Sequence, residues 1–382
     1  MKTQQSASRK IWLGKTAIAG LAAAAFSAAT VGASAAPPPG RTIAYAVTDR
    51  VESTYETKDA KEECPDGLYA MGAREQFADS FPNTEGKKAD GTRWTVAETS
   101  LARETEVWFP NLGPGKYPTK EVKGKISFGL NLDGKVKDSD FTAPDGTPGI
   151  DNQFYRATGC IESYRDGSSQ RLFYTEFLES RNFNRTVIEL TDVDSLENDD
   201  DVVVTTYRGL DTMAKDAKGE FAVDATQRVD GEFGQYFVRN FKAKIVDGTL
   251  ISSQPGEFVW PNENHTDAAT EIMRDARFQM KLTPEKMDGI VAGYLDVETT
   301  YRASMKRYGT HQASYGKLAG GSIYKTLRKL ADAYPDPKTG ENTAISGALS
   351  IKGVRVQLVH PDKKVADVNT APQLKRLASA GE

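Results

Sequence analysis

Apolar and polar positions alternate with a period of two in many short runs of this chain, the spacing of a strand with one buried face. Residues 42–57, rich in β-branched and aromatic side chains, predict a first strand. Residues 125–132 alternate cleanly before the turn at Asp133-Gly134, and further strands are expected over 171–178, 186–190, 202–207, 236–246 and 249–253. Asp247-Gly248 between alternating apolar residues predicts a tight hairpin. Residues 278–282 and 289–297 predict a second hairpin, and 344–359 return to strand alternation.

Helical spacing is rarer. Over 320–333, Ile323, Leu327 and Leu330 fall on one face with Lys325, Arg328 and Lys329 opposite, which predicts an amphipathic helix near the C-terminus stopped by Pro335. A short helix is expected over 71–81, ended by Pro82, whereas prolines and glycines interrupt 107–118. Short strands recurring between turn signals imply a mainly β fold with few helices, an antiparallel β-sandwich or an open barrel. No repeat or low-complexity linker divides residues 37–360, so one β-rich domain is expected, with an alternative boundary near 220. Residues 361–382 are small and charged and predict a frayed tail.

The N-terminus changes the picture of where the chain works. Lys2, Arg9, Lys10 and Lys15 precede an alanine-rich apolar run, and Ala33-Ser34-Ala35 supplies a small-x-small cleavage pattern, so residues 1–36 predict a cleaved signal peptide. Ser8-Arg9-Lys10-Ile11-Trp12-Leu13-Gly14-Lys15 resembles the twin-arginine consensus with Lys at the second arginine, which leaves that route and the general secretory route both open. A periplasmic or secreted location follows. Taking those four cations from 49 leaves 45 basic against 53 acidic residues, a net of −8. An acidic surface is a poor partner for nucleic acid, and no further apolar stretch is long enough for membrane insertion. Oxidising conditions favour a disulfide between the two cysteines, Cys64 and Cys160.

Candidate chemistry is concentrated in residues 133–152. Asp138, Asp140, Asp145, Asp151 and Asn152 bring oxygen ligands to a turn-rich stretch of Gly and Pro, which suits a calcium ion although the EF-hand register fails. The alternative is a solvated loop whose Asp residues cap turns. A second acidic run over 192–201 reads more simply as a solvated, edge-protecting connection. Trp260 and His265, close together with Glu263, form a candidate ligand-binding pair, against the alternative of an aromatic that fills the β core and an exposed loop histidine. No G-x-S-x-G or H-E-x-x-H motif occurs, and His265, His311 and His360 are far apart. The expectation is an exported soluble binding or accessory protein holding a carbohydrate or another extracytoplasmic ligand, possible structural calcium included. The competing expectation is an exported carboxylate-dependent, glycan-active hydrolase or lyase.

Overall fold

The computed structural model describes residues 41–69, 87–93, 119–168, 185–263, 268–304 and 320–361. The expected signal peptide, the helix over 71–81, the segment 107–118, the strand over 171–178 and all but the first residue of the tail lie outside the described residues. Among those described, no helix is long and apolar enough to cross a membrane.

The described residues form thirteen strands: β1 (Arg41–Glu52), β2 (Phe141–Thr142), β3 (Pro148–Ile150), β4 (Thr186–Val193), β5 (Asp199–Arg208), β6 (Ala225–Arg228), β7 (Arg239–Val246), β8 (Thr249–Ser252), β9 (Gly256–Glu263), β10 (Ala268–Leu282), β11 (Lys286–Asp296), β12 (Ala333–Pro335) and β13 (Asn342–Val359). Among the described residues three α-helices accompany them: α1 (Gln153–Thr158), α2 (Val297–Ser304) and α3 (Gly320–Leu330). Eight strands close an antiparallel ring in the order β1-β4-β5-β7-β8-β10-β11-β13 and back to β1. The long β13 makes this closure by pairing with β11 on one edge and β1 on the other. Closure leaves the ring without a free edge, so of the two expected arrangements the barrel is broadly the one adopted, in closed form, and a sandwich is not seen among the described residues.

Strand alternation fills the interior. Tyr45, Ile188, Leu190, Val204, Phe241, Phe278, Met280, Val291, Leu349 and Ile351 all belong to one buried cluster. Space for these rings requires absent side chains opposite them: a Cβ on Gly293 would stand 2.5 Å from Met273 Cγ, and one on Gly256 would stand 2.6 Å from the Phe241 ring. The β7–β8 hairpin forms as the sequence predicts. Asp247 and Gly248 take φ of 47° and 71°, the left-handed pair that a type I′ turn demands.

Two segments depart from expectation. Residues 125–132 form only isolated bridges, Ile126 with Thr142 and Leu130 with Asp151, instead of a strand. Leu130 and Leu132 cover the outer face of the barrel beside Ala292 and Ala348, and a closed ring offers no edge for them to join. The strand expected from residue 236 begins only at Arg239, because Gly234–Phe237 makes a 3-10 turn first. The polar stretch near 220 lies within a layer laid over the barrel, where Met213 and Val229 pack with Ala44, Ala46 and Val187. The described residues all belong to one compact unit.

Cys64 and Cys160 are joined, with Cα atoms 5.7 Å apart. Around them Val122, Phe141, Ile150 and Tyr155 build a satellite core outside the barrel, and this anchors the 133–152 stretch.

Candidate functional site

Residues 133–152 lie against the outer face of β11 and β13, and their polar side chains first satisfy their own backbone. Asp133 Oδ1 accepts from Lys135 N at 2.9 Å, Asp145 Oδ1 from Thr147 N at 2.9 Å, and Asp140 Oδ2 from Lys137 N at 2.7 Å. Such bonds are what Asp residues form in turns. Asn152 is buried, caps α1 through Tyr155 N, and donates to Ser53 O, Ser127 Oγ and Phe128 O. Asp138 is exposed. Among the described residues no group of three or more His, Cys, Asp or Glu is placed to hold a metal ion. A calcium ion on this stretch would have to displace these bonds. The second acidic run behaves alike: Asp199 accepts from Asp194 N at 2.6 Å within the β4–β5 connection.

Asp151 differs from its neighbours because it is only 2% exposed. Its Oδ2 accepts from Leu132 N at 2.7 Å. Burial nevertheless pushes the carboxyl up to about 6; the Leu132 bond opposes this, and the charges of Asp133, Asp140 and Asp332 reinforce it. Asp332, just after α3, approaches from another part of the chain. It accepts from Ser346 N and Ser346 Oγ, both at 2.7 Å, and burial raises its pKa as well. Lys137 pairs with Asp133 and is the cation of the group; that bond holds the Asp133 carboxyl below its ordinary range.

Tyr294 stands across from Ser346 in the β11–β13 register, which sets its ring beside Asp332. Burial and the charges of Asp151, Asp332, Asp133 and Asp275 raise its hydroxyl pKa, while no described residue hydrogen-bonds that hydroxyl. Tyr334 meets Tyr294 edge-on, with ring centroids 6.0 Å apart, and donates to Asp275 Oδ2 at 2.6 Å. Burial and that bond push Tyr334 up to about 12. The Arg274 guanidinium covers the Tyr334 ring at 4.1 Å. The result is a half-buried seam of two tyrosines, the buried Asp151 carboxyl and the half-buried Asp332 carboxyl. It can stack against an apolar ring face and exchange hydrogen bonds with hydroxyl groups.

Sequence reasoning reached Asp140 and Asp151 and missed Asp332, Tyr294, Tyr334 and Ser346. No local signal could have found these, since only the pairing of β11 with β13 assembles them. Trp260 lies inside the barrel, fully buried and stacked on Phe258 with ring centroids 4.1 Å apart. His265 lies outside the described residues, as does His311. His360 reaches over the barrel wall to Glu189, with Nε2 and Oε1 2.9 Å apart, and lies edge-on to Tyr207.

The raised Asp151 makes a prediction about pH. Its folded pKa exceeds the ordinary carboxylate value, so its contribution to stability is full below about pH 4 and is lost as pH rises through 6. Asp151→Asn should therefore gain on the order of 1 to 2 kcal/mol over the parent at pH 7.5 and almost nothing at pH 4. Urea melts at the two pH values measure this, and a variant less stable at pH 7.5 would contradict it.

Comparison with protein-family models, with curated proteins and with solved structures finds no match to the chain.

Proposed function

We propose that the chain is an exported, soluble binding or accessory protein that holds a carbohydrate or similar polyol on the seam of Tyr294, Tyr334, Asp151 and Asp332. The observation that carries this reading is the Tyr294 hydroxyl, half-buried, unbonded by any described residue and facing carboxyl groups. A polyol supplies what that arrangement lacks: an apolar ring face for the aromatics, and hydroxyls that both donate to carboxylates and accept from a phenol. The disulfide supports an oxidising compartment, and the leader composition supports export.

Isothermal titration with a panel of neutral oligosaccharides tests the reading. At least one should bind, and Tyr294→Ala and Asp332→Asn should each weaken that binding at least tenfold, about 1.4 kcal/mol. A panel that fails to bind, or binding that both variants keep, sinks the proposal. The hydrolase reading retains one support, since a carboxyl that titrates near 6 can serve as a general acid. Release of reducing ends that disappears in Asp151→Asn would favour it over simple binding.

A further inference from the structure

A second pair of side chains stands out on the inner wall of the barrel, at the end where β1 finishes. Arg50 stands opposite Ile351 in the β1–β13 register. Ile351 belongs to the interior cluster, so the arginine after the bulge between Val47 and Asp49 also points inward. Its guanidinium lies 5.1 Å from the centroid of the Trp260 ring. Trp260 sits on β9, which pairs with β10 and not with β1, so this contact spans the lumen.

The two side chains share an unusual state. Arg50 is only 12% exposed, yet the Glu271 carboxylate it faces is 3.8 Å away, beyond hydrogen-bond reach. No described residue accepts a hydrogen bond from Arg50. Trp260 is fully buried, and its Nε1 has no partner. Buried donors are almost always satisfied in native proteins, and charged ones nearly without exception. Guanidinium and indole N–H groups can only donate, so whatever completes them must accept. An oxyanion does this best, because the planar fork of arginine matches two of its oxygens at once. The loose Glu271 pair leaves donors of the fork available. At the same end a second pair, Arg208 with Asp230 at 3.4 Å, lies next to the Phe237 ring.

We propose that this mouth of the barrel binds a small oxyanion, a carboxylate or a phosphate, between the Arg50 guanidinium and the Trp260 indole N–H. The site is independent of the tyrosine seam, which faces outward from β11 and β13, so either can fail without the other. Acetate and inorganic phosphate are the probes, with chloride at matched ionic strength as the reference. One of the two should raise the melting temperature above the chloride value, change tryptophan emission and titrate calorimetrically; which one does so identifies the anion class. Arg50→Met should weaken that binding at least tenfold. Trp260→Phe, which keeps a ring on Phe258 and removes the N–H, should weaken it several-fold. Should Arg50→Met fail to fold, Arg50→Lys replaces it, since the charge stays and the fork is lost. The proposal is overturned if neither probe departs from chloride, or if binding is equal in the parent and both folded variants.

Discussion

Replacing Arg165 with methionine is expected to destabilise the protein by about 3 to 5 kcal/mol, because it strands a buried carboxylate. Arg165 Nη2 lies 2.6 Å from Glu63 Oε1, and the Glu63 side chain is 1% exposed. Nη1 also donates to Gly159 O at 3.0 Å, so one guanidinium ties the residue before Cys64 to the end of α1. Burial by itself would raise the Glu63 pKa. The bonds from Thr57 and Arg165 outweigh it and bring the value below the ordinary range. Glu63 therefore stabilises the fold above its unfolded pKa and ceases to do so as pH falls through the depressed folded value. Without Arg165 the balance reverses, and the deficit of the variant should shrink towards pH 4. Urea melts of Arg165→Met, Glu63→Gln and the double variant measure this, and the double variant should recover a substantial part of the loss. A loss below about 1 kcal/mol in Arg165→Met would show that the pair is no more than a surface ion pair.

The second large effect concerns the bond next to that pair. Cys64 and Cys160 are separated by 96 residues, and both are buried. In the chain-entropy account, opening a loop of that size costs about 4 to 5 kcal/mol. The Cys64→Ala, Cys160→Ala variant should thus melt roughly 10 °C below the parent. Thiol titration of the parent in denaturant without reductant should find no free thiol. Two titratable thiols, or a variant that melts with the parent, would contradict the structure. Arg165 Nη1 also contacts Cys64 Sγ at 3.9 Å, so this loss and that of Arg165→Met should not add.

Much of the barrel was legible in the sequence because its strands carry their evidence locally. The alternation around Tyr45, Ile188, Phe241 and Phe278 is a two-residue signal that needs no knowledge of neighbours. Asp247-Gly248 and the helix of Ile323 and Leu327 were legible for the same reason, each being written within one turn of chain. The strand expected at 125–132 shows the limit of that reasoning. Its alternation is real, with Leu130 and Leu132 buried on the barrel wall, but alternation reports a buried face and not a hydrogen-bonded neighbour.

The sites show the same division more sharply. Asp140 and Asp151 stood out by composition, yet Asp140 and its neighbour Asp145 serve turns, whereas Asp332, whose charge reaches Asp151, comes from beyond α3. Trp260 stood out as an aromatic in a polar stretch, and its companion Arg50 comes from the first strand.

By itself, then, the sequence determined the β character, the tight hairpin, the amphipathic helix and the identity of the two cysteines that pair, since each is set by neighbours along the chain or by having a single partner available. Closure of the sheet, the approach of the Asp332 charge to Asp151 and Tyr294, and the meeting of Arg50 with Trp260 were decided only by tertiary structure. These depend on which strand lies next to which across a ring. That is a property of the long-range register, set by the sum of many weak side-chain contacts and not by any one segment.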